Sequence, residues 1–256
     1  MHLSITNLKT LMAASLLMGS SAMAGTVQVA VASNFIGAME ELVPAFQKGS
    51  GHQVAVVPGS TGKFYSQIQS GAPFEVLLSA DQATPAKLEK EGLAVEGTQF
   101  SYAEGQLVLW SETPGFIDDG EKLLKAGRFK HLSLANPKTA PYGAAAMEVI
   151  HHLGLEPVIE SKTVLGENIA QAHQFVATGN ADLGFLALSQ VATASGKAAG
   201  SMWLVPSSWH SPILQNAVLL HKGKDNAAAL ALMAFLKSPT ARDIIRSNGY
   251  VLEPLP

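Results

Sequence analysis

Apolar positions along the chain follow two rhythms in turn. Residues 27–32 form a short valine-rich run, the pattern of a buried strand. Behind Ser33 and Asn34 the period changes: Phe35, Ile36, Met39, Leu42, Val43 and Phe46 fall on one helical face, which Gly49 and Gly51 end. Residues 53–57 read as a second strand, 62–70 as a helix stopped by Gly71, 74–80 as a third strand, and 84–91 as a helix with Pro85 at its first position. Strand, helix, strand, helix, strand predicts parallel strands joined by crossover helices. The rhythm continues with strands at 106–110 and 132–135 and a helix over 142–153 closed by Gly154. A strand at 163–165, a helix over 170–178 and a strand at 183–188 follow, then strands at 202–205 and 217–220 and helices over 225–237 and 239–248. No internal repeat or low-complexity linker divides the chain, so the pattern predicts a two-lobed α/β protein with short hinges.

The first residues stand outside this pattern. Lys9 precedes the apolar run 11–18, and Ala22-Met23-Ala24 gives a small-x-small cleavage site before Gly25. The run is too short to span a membrane, so residues 1–24 read as a secretory signal peptide. The 256 residues hold no cysteine, which excludes disulfides, thiolate catalysis, cysteine-ligated metals and a lipid-anchoring cysteine. An unanchored secreted protein points to a Gram-negative periplasm. Apolar residues at 47% and charged residues at 14% predict a globular chain, and a net charge of −3 gives no basic surplus for nucleic acid.

Four junctions share one design: an apolar strand runs through small polar residues into a helix. They are Ala32-Ser33-Asn34-Phe35, Gly59-Ser60-Thr61-Gly62, Ala135-Asn136 through Pro141-Tyr142-Gly143, and Gly166-Glu167-Asn168-Ile169. Helix N-termini beyond strand ends present free N–H groups and suit anions. Each junction taken alone also reads as an ordinary N-cap. The second one resembles a phosphate loop and fails its test. A Walker loop needs G-x-x-x-x-G-K-[ST]; Val57 stands at the first glycine and Phe64 after the lysine. What remains is a loop with two hydroxyls at a helix start, and Lys63 reads as a solvated side chain.

These junctions, with Gly71-Ala72-Pro73-Phe74-Glu75-Val76-Leu77-Leu78-Ser79-Ala80-Asp81 and Gly179-Asn180-Ala181-Asp182-Leu183-Gly184, resemble periplasmic molybdate-binding proteins, the receptors of molybdate ABC importers. The resemblance runs from about Val27 to Leu252. It implies a periplasmic-binding-protein type II fold, each lobe a mixed, mostly parallel sheet flanked by helices, with the ligand cleft between lobes. Lobe 1 would hold 25–105 and 210–256, and lobe 2 would hold 106–209. It also implies a non-catalytic, monomeric receptor without cofactor. The receptor would enclose molybdate or tungstate with neutral donors and dock on a membrane ABC permease. By position the donors are Ser33 and Asn34, Thr61, Tyr142 through its phenol or N–H, and the N–H of Ile169. Threonine stands at 61 where the family often has serine. Residues 185–188 lack the tyrosine some members carry there, and Tyr142 takes its place.

Other constellations are weaker. His151 and His152 are adjacent, so on a helix they diverge by roughly 100° and cannot chelate together. His173 and His210 are isolated, the zincin and serine-hydrolase motifs are missing, and Trp110, Trp203 and Trp209 are too sparse for a sugar site. Asp118-Asp119 before Gly120-Glu121 is turn and helix-start chemistry, and Asp81 reads as structural. A sulfate receptor and a periplasmic α/β enzyme remain as rival readings.

Overall fold

The computed structural model describes residues 24–192 and 200–252; the expected signal peptide, apart from Ala24, lies outside the described residues. Strands and helices follow one another as β1 (Thr26–Ala32), α1 (Ile36–Ser50), β2 (Gln53–Gly59), α2 (Thr61–Gln69), β3 (Val76–Leu78), α3 (Ala83–Lys90) and β4 (Phe100–Gly105). Then come β5 (Leu107–Ser111), α4 (Gly120–Ala126), β6 (Leu132–Ala135), α5 (Pro141–His152), α6 (Glu156–Ile159), β7 (Thr163–Gly166), α7 (Ile169–Ala177), β8 (Leu183–Ala187), α8 (Leu188–Val191) and β9 (Ser201–Leu204). β10 (Ile213–Leu219), α9 (Ala227–Phe235) and α10 (Pro239–Ser247) close the chain.

The strands form two five-stranded sheets, ordered β2-β1-β3-β10-β4 and β7-β6-β8-β5-β9. Each is the frame of one lobe and each is mixed. β1 runs parallel to β2 and β3, and β6 parallel to β7 and β8. β10 is antiparallel to β3 and β4, and β5 to β8 and β9. The antiparallel strands are those next to the passages between sheets. β4 ends at Gly105 in the first sheet and β5 begins at Leu107 in the second; the return runs from Leu204 to Ile213.

Alternation along β1 explains why the first sheet is covered on both faces. Val29 and Val31 pack with Phe35, Met39 and Leu42 under α1, while Ala30 faces Phe64, Leu77 and Leu88 under α2 and α3. The second sheet buries Leu109, Leu132 and Phe185 with Val149 and Ile150 of α5. Burying such side chains stabilises by about 1.5–3 kcal/mol each, and the cores set the strand ends rigidly.

Three differences from the sequence pattern have local causes. β4 was not expected, since Ser101 and Glu104 break its apolar run; it is held by pairing with β10. β10 starts at Ile213 and not at 217, because its first half carries Gln215 and Asn216, both polar and both buried. Pro85 is the third residue of α3, where its missing N–H still costs nothing. Among the described residues no helix is long and apolar enough to cross a membrane.

Candidate functional site

Parallel neighbours end on the same edge of a sheet. β1 and β2 therefore deliver the first two junctions side by side, and β6 and β7 deliver the other two. The lobes bring the two edges face to face around one small cavity. It is lined by Ala32, Ser33 and Asn34, by Gly59, Ser60 and Thr61 with Ala80, by Ala140, Pro141 and Tyr142, and by Asn168 and Ile169. All five residues singled out in the sequence (Ser33, Asn34, Thr61, Tyr142 and Ile169) thus meet at one place.

Each junction spends its polar groups differently. At the fourth, Asn168 is an ordinary cap: its Oδ1 accepts from the N–H of Gln171 at 3.0 Å. This leaves the N–H of Ile169, first residue of α7, without a partner inside the helix. At the second, Ser60 holds the N-cap position of α2 but makes no side-chain cap bond. Its hydroxyl is buried and has no hydrogen-bond partner, and the same is true of Ser33. A buried polar group without a partner costs about 1–3 kcal/mol, so two on one cavity wall call for a ligand. Thr61 is different again. Its Oγ1 accepts from the N–H of Ala80 at 3.0 Å and from Ser79 Oγ at 3.5 Å, leaving its own proton free to donate.

Asn34 has less to offer than its residue type promises. Both side-chain N–H groups are engaged, with Gln215 Oε1 at 2.8 Å and Tyr250 Oη at 2.9 Å. Only its backbone N–H remains for a ligand. Tyr142 opens α5 behind Pro141, so its backbone N–H lies in the unpartnered first turn. Its phenolic oxygen accepts from Gln215 Nε2 at 3.3 Å. Burial, then the neighbouring Tyr250 and Tyr102, pushes its pKa well above the ordinary tyrosine value, so the phenol stays protonated. Residue type alone does not separate Ser60 from Thr61, and neither Gln215 nor Tyr250 stands out along the chain. Their only signal was a pair of polar residues inside an apolar run and a tyrosine near the C-terminus.

No lining residue carries a charge, and the lining includes the hydroxyl-bearing residues Ser33, Ser60, Thr61 and Tyr142. The space is ≈ 10 Å³ to the centre of a water-sized sphere. Room for one small ion excludes a nucleotide or a sugar, which need pockets of roughly 300 Å³ or more. The lobes also touch around it. The N–H of Gly62 donates to the carbonyl of Thr139 at 2.9 Å, and Lys63 pairs with Glu167. Ser189 Oγ donates to the carbonyl of Asn34 at 3.0 Å. A larger groove of ≈ 310 Å³ opens beside the cavity and is where charge appears, at Asp81, Lys138 and Glu148. Among the described residues no cluster of three or more His, Cys, Asp or Glu is placed to hold a metal ion.

The chain is similar to known proteins over most of its length. The profile of a family described as bacterial extracellular solute-binding protein matches residues 27–251. A protein of Azotobacter vinelandii named molybdate-binding protein ModA is 55% identical over 253 residues, covering 99% of this chain and 100% of its own. The protein of the same name from Rhodobacter capsulatus is 50% identical over 232 residues, 91% of this chain and 90% of its own. The solved structure of the Azotobacter vinelandii periplasmic molybdate-binding protein superposes with a TM-score of 0.86 at 41% identity. It covers 89% of this chain and 100% of that one.

Proposed function

We propose a function from one premise: the chain belongs to the family of bacterial extracellular solute-binding proteins. It is a receptor that encloses one molybdate ion between its lobes, takes tungstate by the same chemistry, and delivers the ion to a membrane ABC permease. It performs no reaction on the ion and works as a monomer in the periplasm once residues 1–24 are removed. The relatives named molybdate-binding protein support this reading. The observation that carries it is the pair of buried, unpartnered hydroxyls, Ser33 and Ser60, on the wall of a small cavity without charge.

The donors are the hydroxyls of Ser33, Ser60 and Thr61, the backbone N–H groups of Asn34, Tyr142 and Ile169, and the Tyr142 phenol. A hydrogen bond to a charged group contributes roughly 1.5–3 kcal/mol, and micromolar affinity needs about 8 kcal/mol. Several preorganised donors therefore suffice after the entropy and desolvation costs of binding. A donor wall also selects for full deprotonation. Phosphate near neutrality keeps a proton, and among these groups only a hydroxyl could accept that O–H, at the cost of turning its own proton away from the anion. Molybdate, tungstate and sulfate carry no such proton, so cavity size must separate them. Lobe 1 comprises residues 25–105 and 210–256, lobe 2 residues 106–209, and the two part to admit the ion and close over it.

Isothermal titration of residues 25–256 with molybdate, sulfate and phosphate tests the reading. Tight one-to-one molybdate binding with little heat from sulfate supports it. Equal sulfate binding changes the cargo to sulfate and keeps the receptor. No heat with any oxyanion overturns it.

A further inference from the structure

Hydrogen positions behind the cavity follow from one backbone carbonyl. Tyr250 Oη lies 2.8 Å from the carbonyl oxygen of Asn34 and 3.0 Å from Ser189 Oγ, whose own proton goes to that carbonyl, so the Tyr250 proton points to this pair of acceptors and not to the Asn34 side chain. The 2.9 Å contact between Tyr250 Oη and the Asn34 side chain must then be donated by Asn34 Nδ2. The same nitrogen reaches Gln215 at 2.8 Å, so that end of the Gln215 amide is its oxygen. Tyr102 Oη lies 3.1 Å from that oxygen and 3.2 Å from the carbonyl of Ser79, and its single proton serves these two acceptors. The other end of the amide is therefore NH2, and it faces Tyr142 Oη at 3.3 Å. Tyr142 must accept. Its own proton is thereby turned away from Gln215 and left to donate elsewhere, and Tyr142 lines the cavity.

The two ends of this relay sit in different lobes. Gln215, Asn34, Tyr102 and Tyr250 belong to the first-sheet side, Gln215 on β10; Tyr142 opens α5 on the other. Gln215 is fully buried, so the amide has no water to exchange with once the lobes meet. Gly105 completes the fit. A Cβ added there would overlap Tyr142 Oη and sit 2.8 Å from Gln215 Nε2, so the phenol and the amide meet only because residue 105 is glycine.

We propose that Gln215 is a positioning residue for the anion site: it forces Tyr142 to accept, and so makes the Tyr142 hydroxyl a donor to the bound oxyanion when the lobes close. The inference rests on the receptor reading above and adds to it a residue that touches no ligand. It also accounts for a buried polar residue, Gln215, in the middle of a strand.

A double-mutant cycle tests it. Molybdate and sulfate are titrated into the wild type, Gln215→Met, Tyr142→Phe and the double variant, with thermal melts to show folding. Each single variant is expected to weaken binding about tenfold, the size of one hydrogen bond, and the double variant to be about as weak as either single. Gly105→Ala keeps both groups and obstructs only their meeting; it is expected to weaken binding while its ligand-free melt stays near wild type. Multiplying losses in the cycle, unchanged affinity in Gln215→Met, or unchanged affinity in Gly105→Ala overturns the proposal. Should Gln215→Met fail to fold, Gly105→Ala alone decides. A wild type silent to both anions overturns the receptor reading and this inference with it, whereas a binding wild type with an additive cycle overturns this inference alone.

Discussion

The backbone N–H of Gly62 donates to the carbonyl of Thr139 at 2.9 Å, and the two residues lie in different lobes. Gly62 is the second residue of α2, one step past Thr61, and Thr139 lies just ahead of α5. One of the free N–H groups at a helix start thus ties the lobes together beside the cavity.

The tie predicts an effect of opposite sign on binding and on stability. A Cβ at position 62 would lie 3.0 Å from Thr139 Cα and 3.1 Å from its carbonyl oxygen. In an open molecule that space is free, and alanine is a better helix former than glycine by about 1 kcal/mol. Gly62→Ala is expected to leave the ligand-free melting temperature unchanged or higher and to weaken anion binding by about tenfold. Calorimetry and a melt on the same sample check both signs; a gain in affinity would show that the closed lobes do not meet here.

Lys63 and Glu167 form a second tie, an ion pair between exposed side chains at the same edge. Exposed pairs contribute about 0–1 kcal/mol and are screened by salt. Lys63→Ala and Glu167→Gln are each expected to speed anion release by a few-fold at low salt, and to do so less as salt is raised. Stopped-flow dissociation at two ionic strengths measures this. Equal effects at both would assign the loss to something other than charge.

The three hydroxyls at the cavity should separate by what else they do. Ser33 Oγ and Ser60 Oγ have no partner in the protein, so Ser33→Ala and Ser60→Ala remove donors that only a ligand can use. Each is expected to weaken binding by roughly ten- to a hundredfold, with the ligand-free melt unchanged or slightly raised. Thr61→Ala also strands the buried N–H of Ala80, so both affinity and melting temperature should fall. A Thr61→Ala variant that melts like Ser60→Ala would mean that the Ala80 contact contributes nothing.

The division between Ser60 and Thr61 shows where sequence reading stops. The four junctions were legible because strand, small polar residues and helix start leave a periodic trace in the chain. Which neighbouring hydroxyl is spare depends on Ala80, nineteen residues away at another strand end. The engagement of the Asn34 amide depends on Gln215 and Tyr250, 181 and 216 residues further on. β4 and the first half of β10 were missed for a related reason. Buried polar residues such as Gln215 break the apolar pattern that marks a strand.

Binding and stability should part company as pH changes. No residue lining the cavity ionises near neutrality; Tyr142 alone is titratable, and burial holds its phenol protonated well past its ordinary range. Anion affinity is therefore expected to be flat between about pH 6 and about pH 9. Stability carries two slopes of its own. Burial raises the pKa of Tyr102, Tyr142 and Tyr250, so their contribution is complete below the unfolded value of 10.0 and is lost as pH rises beyond it. His173, half-buried and stacked on Trp110 at 5.3 Å, has its pKa lowered by burial from 6.5. The unfolded chain then takes up the proton first, so stability present above pH 6.5 falls as pH drops below it. Melting temperatures across this range should decline at both ends, and His173→Gln should flatten the acid side alone. A histidine-like step in affinity itself would mean that a charged group reaches the anion.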